Sequence, residues 1–162
     1  MVTGTASVIR STPTPATLTA RLRALTKKEV YVGIPAEKSS RPGQGGINNA
    51  ELLYIHTHGS PIRNIPPRPV LQPAIEANKE AIGKQFATAS REALKGNVMG
   101  AENGLEKAGM VAQNVARAWF ENPGNGWASN SPRTIARKKS DRPLIDTGEM
   151  RKAITYVVRF KE

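Results

Sequence analysis

The strongest pattern in the chain is a run of small and apolar residues at helical spacing. Ala101, Leu105, Ala108, Ala112, Val115 and Trp119 follow one another at alternating steps of four and three. That spacing places them on one face of a helix from about Gly100 to Glu121. Its small residues, Gly104, Ala108, Gly109 and Ala112, allow another helix to approach closely. A second stripe, Ile75, Ile82, Phe86, Ala89 and Ala93, predicts a preceding helix from about Leu71 to Lys95, with Gly96 as its stop. The period changes to two in Glu29 to Ile34, where Val30, Val32 and Ile34 alternate with other residues, and again at Ile154, Tyr156, Val158 and Phe160. Both segments read as strands.

Shorter elements fill the gaps. Residues 1–14 read as a flexible arm with one short strand at Ser7 to Arg10. Thr14 caps a helix with Pro15 at its first position; Leu18, Leu22 and Leu25 form its stripe, ending at Lys27-Lys28. Lys38 to Gly46 is a flexible Gly/Pro-rich loop. Asn48 or Asn49 caps a helix through Ala50, Leu52, Leu53 and Ile55, closed by Gly59. Ser60 to Pro69 contains Pro61, Pro66, Pro67 and Pro69 and is expected to be extended, since each proline disfavours helix before it. Asn122 to Asn130 is turn chemistry, Pro132 to Lys139 a short basic helix, and Thr147 or Asp146 caps a further helix through Arg151. The expected fold is α+β: a small antiparallel sheet packed with two long helices, residues 15–162 forming one domain behind the arm. Two or three strands are marginal alone, so neighbouring subunits are expected to extend the sheet.

Composition narrows the class. The chain has 162 residues, 24 Lys+Arg against 13 Asp+Glu, a net charge of +11, and no cysteine. With 38% hydrophobic and 5% aromatic residues the core must be thin. The absence of cysteine excludes disulfides, thiol catalysis and Cys-ligated zinc. No apolar run approaches the ~18 residues of a membrane span, and Met1 to Pro15 lacks the apolar stretch of a secretory signal. A soluble basic protein made in a cytoplasm is expected. The excess charge is concentrated at the two ends of the chain and suggests nucleic acid or acidic partners. Arg137-Lys138-Lys139, flanked by Arg133 and Arg142, is the densest run. No aromatic lies between Ser129 and Arg142, so this run can touch phosphates without reading bases. A solvated or subunit-facing loop is the favoured reading of it.

Candidate chemistry is sparse. Asp146-Thr147-Gly148 matches the Asp-Thr-Gly of aspartic proteases, but those enzymes set the Asp in a loop of a long β-rich body and pair two copies. Here Glu149-Met150-Arg151-Lys152 reads as helix and the chain ends soon after. A capping turn explains the triplet equally well. His56 and His58 are two apart on a predicted helix, so they point to different sides and would not share a metal. One fits a helix C-terminus and the other a partly buried position. There is no Gly-x-Gly-x-x-Gly after a strand, no Gly-Lys-Ser/Thr phosphate loop and no nucleophile elbow. A non-enzyme without cofactor or metal is expected.

Two blocks carry a resemblance. Tyr54-Ile55-His56, Gly59 and Ile65-Pro66-Pro67-Arg68-Pro69-Val70-Leu71 form the first. The second comprises Trp127, Ser131-Pro132-Arg133-Thr134-Ile135-Ala136-Arg137-Lys138-Lys139, and Arg142-Pro143-Leu144-Ile145-Asp146-Thr147-Gly148-Glu149-Met150-Arg151-Lys152-Ala153-Ile154. Together they resemble the tail-completion and neck proteins of tailed bacteriophages and the related virion morphogenesis proteins. In those proteins an Ile-His helix ending in Gly leads to Ile-Pro-x-Arg-Pro-Phe-Leu, and the chain closes on Thr-Ile-x-x-Lys and Pro-Leu-x-x-Thr-Gly-x-Leu/Met-Arg-x-Ser/Ala-Ile. The resemblance covers roughly residues 47–160. Val70 stands where Phe is usual and His58 where an aromatic often precedes Gly. The resemblance implies a virion protein that forms a homo-oligomeric ring, hexameric or twelvefold, at the head–tail junction. Its partners would be other connector, tail-terminator or tail-tube proteins, with passing contact to phage DNA, no membrane and no catalysis. It would pass through the host cytoplasm during assembly. Arg68 and Pro69, Leu144 and Ile145, and Arg151 are the residues expected at subunit interfaces, Arg68 offering a fixed guanidinium and Leu144-Ile145 an aliphatic knob. The alternative is a basic DNA-associated protein that contacts phosphates without sequence specificity.

Overall fold

In the computed structural model, which describes residues 12–41 and 46–162, strands β1 (Lys28–Gly33) and β2 (Thr155–Phe160) pair antiparallel although they lie near opposite ends of the chain. Val30 faces Val158 across the ladder and Val32 faces Tyr156. Between them run helices α2 (Asn49–His58), α3 (Leu71–Ala77), α4 (Lys79–Lys95), α5 (Val98–Ala118), α6 (Pro132–Lys138) and α7 (Glu149–Ala153), and α1 (Pro15–Thr26) precedes β1. The architecture is the expected small α+β fold.

Helix α5 is the central element. Its apolar stripe buries Ala101, Leu105, Ala108 and Ala112, and it contacts both strands and α4. Small residues make both contacts close. A Cβ on Gly109 would collide with the Tyr156 ring of β2, and one on Gly104 would lie 2.6 Å from the Ala89 Cβ of α4. Helix α1 rests on α4, tied by Arg21, whose Nη1 donates to the Leu94 carbonyl at 2.7 Å. The larger apolar side chains gather at the C-terminal end of α5, where Leu53, Val70, Trp119, Phe120, Met150 and Ile154 form the main core. Trp127 packs edge-on to Phe120, with ring centroids 5.9 Å apart.

The local signals explain most boundaries. Thr14 accepts from the Thr17 amide with Pro15 behind it, and Asn48 and Glu51 form a reciprocal capping box on α2. Gly96 ends α4 at φ 83°, and Ser131 caps α6. Four expectations are corrected. The helix expected over Leu71 to Lys95 is two helices, because Asn78 leaves helical geometry at φ −121° and its side-chain amide bonds back to the Ala74 carbonyl at 2.8 Å. Ser60 to Pro69 is not extended throughout: Pro61–Arg63 make a 3₁₀ turn, which Pro61 is free to start, inside a Ser60–Ile65 bridge. The cap position of α7 falls on Gly148 at φ 79°, not on Thr147 or Asp146, although the Thr147 hydroxyl accepts from the Glu149 amide at 3.4 Å. Helix α5 also begins two residues before the expected Gly100, at Val98, and its expected last turn is the 3₁₀ segment Trp119–Glu121. Most of the arm at 1–14, the strand at Ser7 to Arg10 and the middle of the Lys38–Gly46 loop lie outside the described residues.

Candidate functional site

The two blocks singled out in the sequence fold against each other. After α2 the chain reverses at Gly59, φ 73°, where a Cβ would lie 2.8 Å from the Ile65 carbonyl oxygen. The Ser60 and Ile65 backbones exchange two hydrogen bonds, and the Arg68 amide then donates to the His56 carbonyl at 2.6 Å. Arg68 is thus delivered under α2 with 7% of its surface exposed. Its guanidinium donates to the carbonyls of Ala128 and Ser129, and Trp127 Nε1 donates back to the Pro69 carbonyl at 3.1 Å. Asn130, also buried, closes the next loop by donating to the Asp141 carbonyl at 3.0 Å.

This junction floors a cleft of about 680 Å³. Leu52 and His56, one turn apart on α2, form one wall; α6 contributes Thr134, Arg137 and Lys138; Leu144, Asp146 and Met150 close the far side. Arg41, Arg63 and Arg68 line it too, so among the described residues five cationic side chains share the cleft with one carboxylate. The Arg41, Arg63 and Arg137 side chains have no hydrogen-bond or ion-pair partner among the described residues. Lys138 Nζ donates to the Arg142 carbonyl at 2.9 Å.

Electrostatics register the crowding. His56 is held down to about 4, first by burial and then by the positive charges of Arg68, Arg41 and Lys138, so it is neutral at pH 7. Its Nδ1 is buried without a hydrogen-bond partner among the described residues. Burial lowers the Lys138 ammonium, Asp146 pulls it back up, and Arg68 and Arg137 lower it further. Burial alone lowers Arg68. The arrangement is a positively charged recess whose cations exceed the negative groups built to meet them.

The expected interface residues fare unevenly. Arg68 does not offer its guanidinium to a neighbour; it is buried and bonded within its own chain. Leu144 and Ile145 do not stand out as a knob: both are half-buried against the core, Leu144 at φ 58°. Pro69 is half-buried with its carbonyl occupied by Trp127. Arg151 keeps a third of its side chain exposed and pairs with Glu121 at 3.2 Å. His56 and His58 do point apart: His56 into the cleft, His58 to the surface, where its ring stacks on Tyr54. Among the described residues no group of three His, Asp or Glu could hold a metal, and no helix is long and apolar enough to cross a membrane. Arg41, Arg63 and Asn130 were not marked out by the sequence; a Gly-reversal followed by a proline-flanked Arg was the only signal that this segment folds back.

Comparison with protein-family models, curated proteins and solved structures gives no match for this chain.

Proposed function

We propose that the chain is a structural virion protein of a tailed phage, a tail-completion or neck subunit that forms a ring joining the tail to the DNA-filled head. The observation that supports this reading is the joining of the two resembling blocks into one unit through Arg68 with Ala128 and Trp127 with Pro69. Segments about 60 residues apart that share a family-like pattern are held together by backbone-directed bonds, as parts of a single module would be. The sheet fits the ring. Each strand has one edge without a partner among the described residues, and its outer face carries Tyr31, 53% exposed. A strand from the next subunit can add to such an edge through main-chain hydrogen bonds. Other copies of this chain and the adjoining connector, terminator or tube proteins are the partners of this reading, and the head–tail junction its place.

Electron microscopy of a lysate from phage lacking the gene tests the role. Separate full heads and finished tails, rejoined when the protein is added back, are the expected result. Normally joined particles would remove the role.

A further inference from the structure

We propose that the basic cleft between α2 and α6 is a binding site for the phosphodiester backbone of duplex DNA, read without sequence specificity. The inference goes beyond the connector reading and stands on the cleft alone.

Three observations carry it. First, among the described residues the cleft gathers Arg41, Arg63, Arg68, Arg137 and Lys138 around a single carboxylate, Asp146, and three of these guanidinium groups have no partner. Arginine forks match phosphate oxygens in pairs, and an anion seated between them relieves the mutual repulsion of the clustered cations. Second, among the described residues the lining contains no Phe, Tyr or Trp, and its one aromatic ring, His56, is half-buried. Single strands are held by stacking bases on aromatics, so the cleft suits a backbone whose bases stay paired. Its neutral polar groups, including Thr134 and the exposed Asn64, are of the kind that contact phosphate and sugar. Third, the cations come from three separate stretches of chain, held by the Arg68–Ala128 and Asn130–Asp141 bonds, so the charge is concentrated at a built recess and not spread along one solvated helix. A net charge of +11 draws a polyanion toward it. An acidic polypeptide is the competing occupant; three guanidinium groups without a partner among the described residues, and no Phe, Tyr or Trp to anchor a peptide side chain, favour DNA.

The test is fluorescence anisotropy with a labelled random-sequence DNA duplex over a salt series. The log–log salt slope falls by about 0.9 for each lost phosphate contact. Arg41→Ala/Arg63→Ala/Arg137→Ala should reduce the slope by about 2–3 and weaken binding at least about tenfold. The equal-charge control Arg23→Ala/Lys84→Ala/Arg91→Ala, on exposed positions outside the cleft, should change the slope by about 1 or less. Asp146→Asn, which removes only the opposing charge, should tighten binding and covers the case in which the triple cleft variant does not fold. No duplex binding, equal losses in cleft and control variants, or no tightening by Asp146→Asn would each overturn the proposal. So would poly-glutamate of matched charge binding as tightly as the duplex. None of these readouts depends on head–tail joining.

Discussion

The Arg68 guanidinium donates twice to one acceptor, the carbonyl of Ala128, from Nη2 at 2.7 Å and from Nε at 3.1 Å. A third bond, from Nη2 to the Ser129 carbonyl at 3.2 Å, completes the clamp. Because the site is buried, truncation leaves carbonyls without a donor and removes a charge-assisted pair of bonds. Arg68→Ala should therefore destabilise the folded chain by about 2–3 kcal/mol, read as a lower urea midpoint. Arg68→Lys should recover only part of this, since an ammonium cannot make the forked contact. Wild-type stability in Arg68→Ala, with assembly lost, would return Arg68 to a surface role.

The α4–α5 contact makes an opposite use of side-chain size. A Cβ on Gly104 would lie 2.6 Å from the Ala89 Cβ and 2.7 Å from its Cα, so backbone as well as side chain must move. Gly104→Ala gains about 1 kcal/mol of helix propensity and is still expected to destabilise, because overpacking costs about 1–3 kcal/mol. Ala89→Gly in the same chain should restore part of the loss by returning the space. Chemical denaturation of both variants checks this; a simple gain in stability for Gly104→Ala would show that the helices separate freely.

These two contacts also mark where the sequence was legible. The small-residue stripe of α5, the period-two alternation within each strand, the Asn48 cap and the Gly59 and Gly96 stops are all signalled by residues close in sequence, so periodicity and capping rules reach them. The break at Asn78 carries no proline or glycine and depends on one side chain choosing the Ala74 carbonyl. Arg68 was legible as important but not in its destination, because its partner is a backbone carbonyl 60 residues away that no side chain announces. The cleft was less legible still. Its cations are drawn from among 24 Lys and Arg, and only the fold decides which of them face one another.

Glu121 tests how little an exposed ion pair contributes. Its carboxylate meets Arg142 at 2.9 Å and Arg151 at 3.2 Å, with the Arg142 side chain 64% exposed. Glu121→Gln should cost no more than about 1 kcal/mol, and less in high salt, because solvent screens both partners. Urea midpoints in low and high salt are the check. A large, salt-independent loss would mean that Glu121 anchors the C-terminal segment.

His56 gives the fold a pH dependence whose sign is fixed by its surroundings. In the folded chain burial and the charges of Arg68, Arg41 and Lys138 lower it from 6.5 to about 4. Between those values the unfolded chain binds the proton and the folded chain does not, so stability rises with pH across this window. The contribution is fully present above about 6.5 and is lost as pH falls toward about 4. Exposed carboxylates such as Glu29 and Glu92, both lowered by their hydrogen-bond partners, add their own loss at the acid end. The informative quantity is therefore the difference between wild type and His56→Gln, which should lose the slope between pH 4 and 6.5 while keeping the acid limb. Equal slopes would mean that His56 is hydrated in the folded state. The same ring reports on the cleft: duplex phosphates seated among the arginines would offset the charges that repel its proton, so its NMR titration should move upward when DNA is added and stay fixed in Arg41→Ala/Arg63→Ala/Arg137→Ala.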